Sequence, residues 1–321
     1  MKIIETNINE HNNWKIVENE IKNINFEGLF ITFCELYFNK INTPIQETWY
    51  GIIHNPCEWE KYSPWYDNNT SLFELKVFLD SLHFCKLLFV MSKTQISPIK
   101  KLLKKTGHKI NVINLYHPIN KLNFSFDFEK YKNNSNKTIF SIGNWLRKQY
   151  SIFKLQCDTK FSKAILPFTK RTQDELSFYT NRDNIRVTEE ENNSVLKIEK
   201  LDDFSYHKIF ENNIVFLDVY LTTINNTFLE CLISNTPILL NRHQEYIELI
   251  GETYPLFYDS LDDIKNFIFD DENILNTFNY LKNVDKRRFT LDYFIKDLTS
   301  KLHFFCNLNE QDKELLVQSY C

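Results

Sequence analysis

Short apolar runs alternate along this chain with segments whose apolar positions recur every three or four residues. Runs of the first kind predict strands at Gly28–Cys34, Trp49–His54, Leu87–Ser92 and Asn111–Tyr116. The second kind predicts helices at Ser71–Phe84 and Thr94–Lys105, with Ser92 or Thr94 as the cap of the latter. From about Pro118 to Lys137 no period survives, and the segment is polar and rich in turn formers. The alternation then restarts. Strands are predicted at Thr138–Ile142, Ala164–Pro167, Val195–Ile198, Ile214–Val219 and Pro237–Leu240, with helices at Asn226–Ile233 and Gln244–Ile250. The tail is helical in pattern at Leu261–Phe269, Ile274–Leu281 and Phe289–Phe305. Strands alternating with helices predict parallel α/β sheets. The break predicts two domains: residues 1–120, a linker at 121–137, and residues 138–321 including the helical tail. Before Gly28 only one helical stretch, around Trp14–Ile21, is expected, with no opening strand.

The 321 residues suit two domains, and 43% hydrophobic residues supply two cores. A formal charge of −4 leaves no global footprint for nucleic acid, although lysines gather at Lys100-Lys101 and Lys104-Lys105. Only 5 glycines are present, which argues against a glycine-rich phosphate loop. The 7 cysteines form no CxxC pair, and Cys34, Cys85 and Cys231 sit in apolar runs, as expected of free thiols in a reducing cytoplasm. No signal peptide and no membrane span are expected; a peripheral contact with a membrane surface stays open.

Candidate chemistry concentrates in Ile214–Tyr258. An apolar strand runs into the polar loop Thr222–Thr227, and a helix opens there. Loops at the carboxyl ends of parallel strands bind ligands in such sheets, and a helix N-terminus favours a diphosphate. Asn225, Asn226 and Thr227 stand at that start, and Glu230 lies one turn inside. The same residues also suit a plain helix start, with Asn225 or Asn226 as its cap and Glu230 as a favourable charge. A second cluster follows the strand Thr138–Ile142: Gly143, Asn144, and the basic pair Arg147-Lys148, which is equally what a solvated helix start carries.

Two matches give these stretches a family likeness. Leu229-Glu230-Cys231-Leu232-Ile233-Ser234-Asn235-Thr236-Pro237-Ile238-Leu239 and Glu248-Leu249-Ile250-Gly251 resemble the donor-binding half of retaining GT-B glycosyltransferases. So does Ile139–Lys148, a first strand ending at a glycine with basic residues beyond. The resemblance implies that Glu230 holds the donor ribose hydroxyls, and that Lys148, with Arg147 beside it, reaches the diphosphate. It departs from the family pattern at three positions: Asn235 stands for a glycine, Asn144 for an arginine, and Thr222 for the first of two glutamates, eight residues before Glu230. Retention of configuration therefore does not follow.

In the first half, the strand Trp49–His54 ends in His54 and is followed by a loop with Glu58, Trp59, Trp65, Tyr66 and Asp67. Such rings stack on sugar faces, and His54, Glu58 and Asp67 are the ionisable candidates for activating an acceptor hydroxyl. A strand-end histidine is more often structural. The resemblance places the acceptor in this half, makes His117-Pro118 a hinge or cleft residue, and packs the tail back toward the first domain. The pairs Asp202-Asp203, Asp262-Asp263 and Asp270-Asp271 read as helix-start charges. No metal-ligand spacing, HExxH or Walker loop appears. The expectation is a cytoplasmic GT-B enzyme of two Rossmann-like parallel-sheet domains. It would move sugar from a nucleoside diphosphate sugar to a saccharide, glycoconjugate or protein hydroxyl. It would use no metal and no cofactor beyond that co-substrate, and no nucleic acid. A nucleotide-sugar epimerase and a catalytically silent carbohydrate-binding protein are the alternatives.

Overall fold

The computed structural model describes residues 2–4, 12–62, 71–268 and 270–307. The chain divides into two compact units, Met1–Asn120 with Arg287–Cys321, and Lys121–Lys286. The tail that the sequence reading grouped with residues 138–321 therefore belongs to the first unit.

The first unit is built on β1 (Lys2–Ile4), β2 (Leu29–Ile31), β3 (Trp49–Ile53), β4 (Cys85–Val90) and β5 (Asn111–Asn114). They pair in chain order and all in parallel. β1 corrects the expectation of no opening strand; three residues, the first of them a lysine, are too few to show an alternation. Alternate side chains enter two cores, as the period of two requires. Leu29, Ile31, Trp49, Ile53, Leu88 and Val90 face one of them, with Phe38, Phe78 and Leu103 from the helices covering it. Phe30, Tyr50, Ile52, Leu87 and Phe89 face the other. Two helices cover that second face. Asn12–Ile21 contributes Trp14, Val17 and Ile21, and Leu291–Asn307 contributes Phe294, Leu298, Leu302 and Phe305 at near-helical spacing. Lys301, buried, ties the tail helix to the sheet by donating to the Asn114 carbonyl at 2.8 Å.

The second unit has β6 (Lys137–Ile142), β7 (Phe161–Leu166), β8 (Val195–Lys197), β9 (Ile214–Leu217), β10 (Ile238–Asn241) and β11 (Phe257–Tyr258). The order is β11-β10-β9-β6-β7-β8, all parallel. The chain works outward from β6 to β8, then returns to β9 on the other side of β6. That reversal is a topological switch point, where such sheets open a crevice at their carboxyl ends. Residues 121–137 are not a free linker. Asp127 caps the short helix Phe128–Lys132, and Tyr131 is fully buried. Phe126 and Asp127 donate backbone hydrogen bonds to the Ser234 and Glu211 carbonyls at 2.7 and 2.8 Å. One helical turn is too short to show a period. Two of the acidic pairs are helix-start charges as expected, Asp202 and Asp270 capping Asp203–Asn212 and Asp271–Asn283, whereas Asp263 accepts from the backbone of Asp259 and Ser260 in the turn ahead of Lys265–Ile268.

Candidate active site

The helix Asn226–Ser234 opens at the switch point. Asn225 is its cap, accepting from Phe228 N–H at 2.9 Å, while its amide donates to the Tyr246 hydroxyl at 2.9 Å. Thr227, buried, faces Gly143 at the end of β6. Gly143 has φ +84°, and a Cβ there would lie 3.3 Å from Arg147 Nη2 and 3.8 Å from Thr227 Oγ1. The glycine thus supplies both a left-handed turn and room for a guanidinium.

Arg147 is buried, and its Nε has no hydrogen-bond partner. Burial lowers its pKa, opposed by Tyr246 and Tyr206 beside it. The Tyr206 hydroxyl donates to Glu230 Oε2 at 2.8 Å. Burial pushes the Glu230 carboxyl up to about 7, against the Tyr206 hydrogen bond. Gly143, Arg147, Thr227, Tyr206 and Glu230 therefore form one connected cluster.

Lys148 is engaged elsewhere. Its ammonium lies 3.1 Å from Asp218 Oδ1, just past β9. Asp218 also accepts from Ser151 Oγ at 2.6 Å, and burial raises its pKa against the pull of Lys148. The Asn144 carbonyl accepts from Gln149 Nε2 at 3.0 Å, which ties down the turn after Gly143. Tyr206 and Asp218 escaped sequence reading because nothing local marks them; they meet Glu230 and Lys148 only through the fold.

In the first unit, His54 stands at the carboxyl end of β3. Its Nε2 lies 2.8 Å from the Thr32 carbonyl, which can only accept, so Nε2 carries the proton. Phe33 stacks on the ring at 3.6 Å and 5°, and Trp14 meets it edge-on at 4.7 Å. Glu35, unmarked in the sequence, accepts from the His54 and Asn55 N–H groups at 2.7 and 2.6 Å through one oxygen, Oε1. Oε2 is buried with no partner, and burial pushes the carboxyl up to about 7. Glu58 does not join this group. It is exposed, paired with Lys61 at 2.9 Å, and held below the usual carboxylate range by that hydrogen bond. Asp67 lies outside the described residues. His117, buried, is a packing residue: Nδ1 bonds the Pro118 carbonyl at 2.7 Å, and Nε2 accepts from Trp14 Nε1 at 3.0 Å. Among the described residues no group of His, Cys, Asp and Glu could hold a metal ion, and no helix is long and apolar enough to cross a membrane.

Two parallel α/β sheets, a switch-point cluster in the second and a C-terminal helix packed on the first define the GT-B glycosyltransferase fold, and the chain has it. HepE from Anabaena, solved with UDP, superposes with a TM-score of 0.62 at 11% identity, over 91% of this chain and 82% of that one. Sucrose-phosphate synthase from Thermosynechococcus elongatus gives 0.60 at 9% identity, over 86% and 73%. TarM from S. aureus, solved with fondaparinux, α-GlcNAc-glycerol and UDP, gives 0.57 at 10%, over 86% and 55%. No family model matches the sequence, and no curated protein matches it.

Proposed function

We propose that the protein is a glycosyltransferase that takes a nucleoside diphosphate sugar and passes the sugar to an acceptor hydroxyl. The observation that carries this reading is the cluster of Arg147 and Thr227 around Gly143, joined through Tyr206 to Glu230, at the switch point of a parallel sheet. Glu230 holds the ribose hydroxyls with the oxygen that Tyr206 leaves over. The diphosphate lies at the start of helix Asn226–Ser234, where unpaired N–H groups and the helix dipole favour negative charge. Arg147 rather than Lys148 is its main cation, because Lys148 already balances Asp218 and Arg147 has a spare, desolvated Nε. This pair of positive influences replaces a metal in stabilising the leaving group. His54, whose Nε2 carries the proton, is the acceptor-side candidate for general base.

The test is calorimetric titration of UDP, GDP and ADP into the wild type, Glu230→Gln and Arg147→Ala. Both variants are expected to weaken the diphosphate that binds, and Arg147→Ala to leave the free nucleoside nearly unaffected. Transfer is expected to persist in EDTA. Unchanged diphosphate affinity in both variants means that the cluster is helix-start architecture alone. One feature favours a second reading, a catalytically silent carbohydrate-binding protein: buried Thr222 stands where the family carries its first glutamate. Saccharide binding without any turnover of a nucleotide sugar selects it.

A further inference from the structure

Residues 81–126 hold eight lysines and no acidic residue, in a chain whose formal charge is −4. The structure gathers the middle of this stretch on one surface of the first unit. Helix Ile96–Lys105 buries Ile96, Ile99 and Leu103 against the sheet. Its outer side exposes Lys101, Lys104 and Lys105. Where the chain leaves this helix, the His108 ring lies 5.2 Å from that of His83. Beside His83 stand Phe84, which is 40% exposed, and the exposed Lys86. Glu58 is the acid facing Lys101 and Lys105, and it is already bonded to Lys61 at 2.9 Å.

We infer that this face docks the protein on an anionic lipid bilayer. Charge complementarity is the first argument: a lysine surface facing out from an acidic chain orients the whole molecule toward a negative plane. Phe84 is the second, a ring 40% exposed two residues before exposed Lys86, and such a ring suits the boundary between headgroups and acyl chains. The chemistry of the cations is the third. Residues 81–126 contain no arginine, and no row of rings alternates with the lysines of the helix. The planar fork that reads phosphate pairs and the stacking platform that reads bases are both missing. Compact ammonium charges match a diffuse negative surface instead. The helix stays packed on its sheet through its buried side, so docking is superficial and reversible.

The full chain is mixed with phosphatidylcholine vesicles, with and without 30 mol% phosphatidylglycerol (an arbitrary, roughly physiological anionic fraction), and bound protein is read by co-sedimentation. Binding to the anionic vesicles alone is expected, weakening as salt rises. Each lysine near such a surface contributes roughly a factor of five. The triple variant Lys101→Gln, Lys104→Gln, Lys105→Gln is then expected to lose about 100-fold in vesicle affinity by that same estimate. Its circular dichroism is expected to match wild type. Phe84→Ser is expected to weaken the binding that survives high salt. Equal binding to both vesicle types overturns the inference, as does a folded triple variant that binds like wild type. A duplex oligonucleotide that displaces the protein from the vesicles at equal charge concentration also overturns it, and assigns the face to nucleic acid. None of these outcomes depends on the sugar-transfer reading.

Discussion

Replacing Glu35 with Gln isolates the effect of one buried carboxyl on stability. Its pKa rises from 4.5 to about 7 on folding, mainly through burial, with the His54 and Asn55 N–H groups opposing. A raised folded pKa means that the native state holds the proton more tightly than the unfolded chain. The associated stability is fully present below about pH 4.5 and is lost as pH rises to 7. At 1.36 kcal/mol per unit, the loss is ~3 kcal/mol. A glutamine keeps an oxygen for the two N–H donors and cannot ionise. It also buries an amide N–H₂ where Oε2 has no partner, which costs ~1–3 kcal/mol at every pH. The informative quantity is therefore the change of the variant's relative stability with pH. Glu230 carries a shift of the same direction, so the wild-type curve alone would mix the two. Urea unfolding of both proteins at pH 5 and pH 8 gives the difference, with urea slopes checked for constancy. The variant is expected to gain most of those ~3 kcal/mol on wild type between the two pH values. Equal pH dependence in both, within about 0.5 kcal/mol, would show that Glu35 ionises freely and refute the burial argument.

Ring nitrogen shifts from long-range ¹H–¹⁵N spectra are expected to show His54 as the Nε2–H tautomer and His117 as the Nδ1–H tautomer, because each faces a carbonyl through that nitrogen. The opposite tautomer at His54 removes Nδ1 as a base. Gly143→Ala is expected to destabilise the protein by ~1–2 kcal/mol through its left-handed φ, and to weaken nucleotide binding by displacing Arg147; calorimetry reads both, and a neutral result contradicts the packing. The ribose contact requires ionised Glu230, whose carboxyl titrates at about 7. Nucleoside affinity is therefore expected to rise from pH 6 to pH 8 in wild type and to stay flat in Glu230→Gln; parallel curves reject that contact. Lys148→Ala is expected to cost ~1–3 kcal/mol of stability at pH 8, since it leaves a buried Asp218 acceptor without its partly exposed cation, and less at pH 4; a pH-independent cost implies a packing role only.

Legibility followed the range of the interactions. Helix Gln244–Ile250 matched its sequence pattern residue for residue, and β3 and β6 to within one, because apolar periodicity and turn residues mark them locally. Helix Lys170–Arg182 left no such mark. Its buried positions are Thr172, Glu175 and Tyr179, spaced as a helix requires but mostly polar. The Asn225 cap and Glu230 were visible in one short motif. The ion pair of Lys148 with Asp218 was not, since Asp218 lies 70 residues away in the chain. Asn235 shows a local departure explained by structure. It sits at φ 60°, the left-handed helix end that the family fills with glycine, and asparagine tolerates that geometry. Its side chain also accepts a hydrogen bond from Lys286. Glu58 illustrates the converse: a carboxylate in a suggestive loop, neutralised by a lysine three residues on.

The pairing of β6 with β9 matches Ile139 to Ile214 and Ser141 to Phe216. Those partners are 75 residues apart, and the intervening chain builds β7 and β8 on the far side of β6. A loop of that length closes slowly, because its entropy is lost before the contact repays it. Gly143 and Thr227 come together only once this closure has occurred. A nascent chain that stops short of β10 still carries every basic residue of the cluster but cannot assemble it around a supported helix. On the proposed reading, nucleotide capture by the second unit is thus a property of the finished sheet, acquired late, and a bound nucleotide would act as a clasp across the most distant strand pairing that unit contains.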